Sequence, residues 1–236
     1  MDVLTGRWLI QPARESRRSR GLLERHPSCH FVCPDDQPGA YAPAVATTVY
    51  YCASSLDGYI AESDDTLAWL MQYEGSFDSD EAEPIEGAYE RYYDGVGSLI
   101  MGSATYEFVL GELADGGEWP YKGKPTWVLT SRDLPEPEGE EVDVRIGGAR
   151  VADLYDELVA AAGERNVWIV GGGNVASQFA DEGLLDEVLV TVVPVVLGEG
   201  KPLFDRRLPG GPMRLMGTHS FDNGMVELRY EIGRGD

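Results

Sequence analysis

From Thr47 onward the apolar positions fall into short runs whose spacing switches between the two periods of regular structure. TVYYCAS is β-branched and aromatic, which predicts a strand, and SLDGYIA after it predicts a loop turning at Asp57-Gly58. TLAWLMQYEG reads as a short helix, acidic SFDSDEAEPIEG as a solvated linker, and AYERYYDG as a second helix. SLIMGSATYEFVLGEL holds a strand, a Gly-Ser turn and a helix from near Thr105, and KPTWVLTSRD is a strand ending at a polar turn. VADLYDELVAAAGER repeats apolar residues at 151, 154, 158 and 159, which share one helical face. NVWIVGGG is a strand and NVASQFADEGL a helix. DEVLVTVVPVVLGEGKPLF predicts a long strand broken after Leu197, and MRLMGTHSFDNGMVELRYEI predicts two strands around Asn223-Gly224, a strong hairpin signal. Strands alternating with helices predict an α/β fold with a mostly parallel sheet, closed by an antiparallel C-terminal hairpin.

Residues 1–46 lack this periodicity. They carry six arginines against five acids, whereas the whole chain of 236 residues has a net charge of −22. The expectation is an irregular or disordered extension over 1–46 and one domain over 47–236. Its HPSCHFVC stretch brings His26, Cys29, His30 and Cys33 together, but zinc sites use a different spacing, so no metal is expected. Three cysteines argue against a disulfide framework, and Cys52 reads as a small buried hydrophobe. The large negative charge disfavours nucleic acid as a partner, and no apolar run is long enough to span a membrane. Only Lys122, Lys124 and Lys201 are lysine, and a carboxylate-rich, lysine-poor surface is one way of staying soluble in high salt. A small-molecule substrate, a cytoplasmic location and a homodimer are expected.

The glycines in VWIVGGGNVASQF raise the first chemical question. Gly171, Gly173 and Ala176 satisfy the dinucleotide pattern G-x-G-x-x-A, but that motif opens its domain, and only 63 residues follow Gly173 here. A Rossmann domain is excluded. What survives is the physics: glycines let the backbone approach a pyrophosphate, and free N–H groups at a helix start attract an anion. A turn that merely permits tight strand-helix packing stays open beside it.

SLDGYIA, LIMGSATYE, VLTSRD, VGGGNVASQF and GLLDEVLVTVVPVVLGEGKPLF, in that order, resemble the dihydrofolate reductase-like family. The similarity is greatest to the C-terminal reductase domain of the bifunctional riboflavin-pathway deaminase-reductase and its stand-alone relatives, over about residues 47–232. The resemblance implies a three-layer α/β/α fold and an NADPH cofactor. It implies that Gly171, Gly172, Gly173, Asn174 and Val175 hold the pyrophosphate and that Gly102, Ser103 and Thr105 support the other side. Thr130, Ser131 and Arg132 match the residues that meet the 2′-phosphate, and a hydroxyl with a guanidinium is what a phosphate wants. Ser54 and Asp57 match the loop over the nicotinamide, and Trp69 matches a position near the substrate. Asp57 or a bound water is the candidate proton source.

One departure stands out. Riboflavin-pathway reductases carry a glutamate at the place of Val170, where it holds the pyrimidine, and valine cannot accept a hydrogen bond. The chain is thus expected to be an NADPH-dependent reductase of a small cyclic or pyrimidine/pterin-like substrate. The alternatives are a 5-amino-6-(5-phosphoribosylamino)uracil reductase and a nucleotide-binding module without turnover.

Overall fold

A computed structural model describes residues 46–233 apart from 78, 80, 81 and 86. The expected extension over 1–46, with its histidines and cysteines, therefore lies outside the described residues except for Ala46. Eight strands form one sheet: β1 (Thr48–Ser55), β3 (Val96–Gly102), β4 (Thr126–Leu129), β5 (Val144–Gly147), β6 (Asn166–Gly171), β7 (Glu187–Val193), β9 (Arg214–Ser220) and β10 (Val226–Glu231). Their order is β5-β4-β3-β6-β1-β7-β10-β9. Every pairing is parallel except those of β10 with β7 and β9. A small second sheet pairs β2 (Tyr59–Ala61) with β8 (Lys201–Pro202).

Strand alternation sorts the core into two faces. Tyr50, Ile100, Val167, Ile169, Val188 and Val190 pack under α4 (Val151–Ala162) and α5 (Gly173–Asp181). Their sequence neighbours Val49, Leu99, Met101, Trp168 and Leu189 point the other way. That face is covered by α2 (Ala88–Asp94) and α3 (Ser103–Ala114), with the single-turn α1 (Ala68–Met71) beside them. The result is the expected three-layer α/β/α architecture, with a mostly parallel sheet and an antiparallel hairpin at its edge. Cys52 packs against the α4/α5 cluster as a free thiol.

Three elements differ from expectation. Tyr59–Ala61, inside the expected loop SLDGYIA, forms β2. The long strand ends at Val193, because Pro194 has no N–H for the ladder, and Lys201–Pro202 returns separately to pair with β2. Edge strand β5 was not predicted: VRIG alternates half-buried and exposed over only four residues, too short for a period to show. No helix among the described residues is long and apolar enough to cross a membrane.

Candidate functional site

Parallel strands aim their carboxyl ends at one edge of a sheet, and that is where α/β sheets bind ligands. Here the ends of β3, β4, β5 and β6 frame a shallow trough of about 310 Å³. It is lined by Gly102, Ser103, Thr130, Ser131, Gly172, Asn174 and Val175, seven of the expected cofactor residues. Gly148 and Ala149, from the loop after β5, complete it. Sequence reasoning missed them because it missed the strand that delivers them.

The three glycines of the turn do different work. A Cβ on Gly171 would sit 2.6 Å from Thr105 Oγ1, and one on Gly173 would sit 2.6 Å from the carbonyl oxygens of Pro202 and Leu203. Both are demanded by packing. Gly172 is different: its φ is +91°, and a Cβ there would meet nothing closer than 3.6 Å. It caps α5 and faces the trough, where the first N–H groups of the helix have no intrahelical partner. Glycine at 172 thus serves the turn's conformation and leaves an open cradle. This arrangement fits a pyrophosphate, with the packing explanation holding for its two neighbours.

The phosphate-end residues are partly engaged with one another. Thr130 Oγ1 accepts from the Arg132 amide at 3.1 Å. The Arg132 guanidinium makes a bidentate pair with Glu107, at 2.9 and 2.6 Å, rather than lining the trough. Asn174 donates to Asp205 at 2.6 Å and accepts from Gln178 at 2.8 Å.

Ala104 also lines a second space, an adjoining cavity of about 220 Å³ over the α2/α3 face of the sheet. Thr105, Val170 and Gly171 stand at this junction, and Tyr51, Tyr89, Tyr121, Trp168 and Phe108 form much of the wall. Trp168 organises the aromatic group. Its Nε1 donates to Tyr51 O at 3.0 Å, and its ring lies edge-on to Tyr89, Tyr92, Tyr93 and Tyr121 at centroid distances of 5.6–6.4 Å. Burial pushes the Tyr89 and Tyr121 hydroxyls up, aided by neighbouring tyrosines, so both stay neutral donors. Sequence reasoning missed this wall because its members come from four separate elements.

Three expected residues do not reach the cavity. Ser54 is buried on the opposite face of β1 from Ala53, which lines the cavity, and its hydroxyl donates to Ser55 O at 3.0 Å. Trp69 is buried with Leu70, Ile85, Phe221 and Met225 without lining the cavity itself, whereas Leu70, Ile85 and Met225 do line it, with Leu67 one helical turn before Leu70. Asp57 is a loop clamp. Its carboxylate accepts from the Ser55 hydroxyl at 2.7 Å, from Gly198 N at 2.7 Å and from Leu197 N at 3.1 Å. The Ser55 hydroxyl, reinforced by those amides, holds the carboxyl below its ordinary value, which is the wrong direction for a proton donor.

An acid with the opposite shift lies beside the cavity's lining. Glu227 pairs with cavity-lining Thr191 across β7 and β10, so both side chains share the cavity's face of the sheet. Burial raises its carboxyl above the usual value, against the opposing pull of His219 on β9, Arg91 on α2 and Arg229 on its own strand. Arg229 is itself paired with Glu187 at 2.8 Å, and Glu83 stands 4.0 Å from His219. A carboxyl raised by folding is one whose neutral form the fold prefers. Its stabilising contribution is complete below the unfolded pKa and is lost as pH rises through the higher folded value. Glu227→Gln, always neutral, should therefore gain stability relative to wild type between roughly pH 4 and pH 7. Urea midpoints across that range check it, and a constant difference would refute the assignment.

Residues 118–226 match the model of the RibD C-terminal domain. The Bacillus subtilis protein YwjB, whose own role is uncharacterized, is 36% identical over 186 residues, covering 78% of this chain and 96% of YwjB. The riboflavin biosynthesis protein RibD of Corynebacterium ammoniagenes is 26% identical over 151 residues, which is 63% of this chain but 43% of RibD. Among solved structures, a protein of Shewanella sp. PV-4 named for riboflavin biosynthesis superposes with a TM-score of 0.63 at 28% identity. That match covers 80% of this chain and 99% of the Shewanella chain.

Proposed function

Because the chain belongs to the RibD C-terminal domain family, a family related to reductases, we propose that it is an NADPH-dependent reductase of a small ring substrate. The observation that carries this reading is that trough and cavity adjoin at Ala104, which gives an elongated cofactor and a compact substrate neighbouring places. Gly172 with the amides at the start of α5 would hold the pyrophosphate, Gly102 and Ser103 would flank it, and Thr130 and Ser131 would meet the 2′-phosphate. When bound, NADPH would supply a hydride to the carbon of a C=N or C=O group and leave as NADP⁺, while a proton from solvent completes the product. The chain's part is to orient, through Thr105 and Val170 at the junction, and to exclude water with the aromatic wall. Val170, where the riboflavin-pathway enzymes carry glutamate, argues against a uracil-derivative substrate.

Arg132 supplies the test. Its guanidinium is held by Glu107, yet both side chains are about half exposed, so the pair is weak enough to exchange for a phosphate. Arg132→Ala should reduce the preference for NADPH over NADH by roughly ten- to hundredfold, the worth of one charge-assisted contact. Glu107→Gln should move the other way, tightening NADPH and leaving NADH unchanged. Calorimetric affinities for both cofactors decide the matter; equal affinities in the wild-type protein would sink the assignment.

A further inference from the structure

The cavity's chemistry goes a step past the fold's cofactor logic. Its wall is built from rings: Tyr51, Tyr89, Tyr121 and Trp168 on one side, with Phe108 from α3. Rings stack best on planar partners, and aromatic faces tolerate any flat π-system. The polar groups offered are neutral hydroxyls, those of Thr105, Thr191, Tyr89 and Tyr121. Among the described residues that line the cavity there is no lysine, arginine or histidine, and the one charge is the carboxylate of Asp65. Lys201 stands 3.2 Å from Asp65 and so already has a carboxylate partner. An anionic ligand would thus lose its hydration and meet no free cation, inside a protein of net charge −22.

Resting on the reductase reading for its purpose, though not for its chemistry, we infer that this cavity binds an uncharged, planar ring compound and rejects ligands bearing a phosphate. A volume of about 220 Å³ suits one or two fused rings. The hydroxyls orient a ring carbonyl or ring nitrogen by donating to it.

Three probes separate charge from size: 2-naphthol, 2-naphthyl acetate, which is neutral and nearly as bulky as the ester of interest, and 2-naphthyl phosphate. Each is titrated calorimetrically into the full chain without cofactor. The two neutral probes should bind at one site, and the phosphate at least about tenfold more weakly. Ala88 lines the cavity from α2, so Ala88→Phe, checked for fold by circular dichroism, should abolish naphthol binding and spare NADPH binding. Phosphate binding as tight as naphthol, no binding of either neutral probe, equal loss for acetate and phosphate, or an indifferent Ala88→Phe would each overturn the inference. Failure of NADPH to bind while naphthol binds would refute the cofactor assignment and leave this one standing.

Discussion

A Gly172→Val protein is expected to fold and to bind NADPH at least about ten- to hundredfold more weakly than wild type, the worth of one charge-assisted contact. The backbone at Gly172 has φ +91°, a region that a β-branched residue adopts only at a cost of about 1–3 kcal/mol. Space is not the obstacle to folding, since the nearest atoms to an added Cβ are Val175 Cγ2 at 3.6 Å and Gly102 N at 4.0 Å. That same open space is the trough, so the new side chain occupies the cradle. The neighbouring glycines make the control. Gly173→Val places carbon against two carbonyl oxygens and should damage stability first, with binding lost only as a consequence. Asn174→Ala should cost much less in affinity, because the α5 amides remain and only its bonds to Asp205 and Gln178 go. Circular dichroism separates the two kinds of failure. A folded Gly172→Val protein with wild-type affinity would mean that all three glycines serve packing.

Trp168→Ala should be the most destabilising substitution in the cavity wall, by about 3–5 kcal/mol. The side chain is 5% exposed, and it sits where β6 meets α2, with four tyrosines edge-on around it. Its removal loses the transfer energy of the indole and the bond to Tyr51 O, and rings held by one another cannot close the void. Trp168→Phe keeps much of the volume and should cost roughly half as much or less. Chemical denaturation measures both, and a loss below about 1 kcal/mol for the alanine variant would show that the cluster is not packed as described.

The unequal legibility of fold and site has a physical origin. β1, β6 and β7 are continuous apolar runs, because a parallel strand is covered on both faces, and such runs stand out in any sequence. The hairpin announced itself through Asn223-Gly224, and Gly224 has φ +83°. The trough was legible for a related reason: glycines and hydroxyls at strand ends are local features, and five such residues, Gly102, Ser103, Thr130, Ser131 and Gly172, converge on it. The cavity was not, because it is assembled from distant elements. Tyr89 and Trp168 are 79 positions apart in the chain and meet at 6.0 Å only after α2 folds over β6. Asp57 misled for a subtler reason. An Asp-Gly turn beside a nicotinamide loop looks available, and only the fold shows its oxygens committed to the amides of Leu197 and Gly198. Glu227 was silent in the sequence because a single glutamate on an edge hairpin carries no pattern; its burial and its pairing with Thr191 give it meaning.

The central claim is that the trough beside the cavity is a site for NADPH. Calorimetric titration of NADPH into the unmodified chain tests it most directly, followed by the same titration with NADH. The account predicts one saturable site per chain, of about micromolar affinity, with NADH at least about tenfold weaker. No saturable binding of NADPH to the folded protein at millimolar cofactor would contradict it.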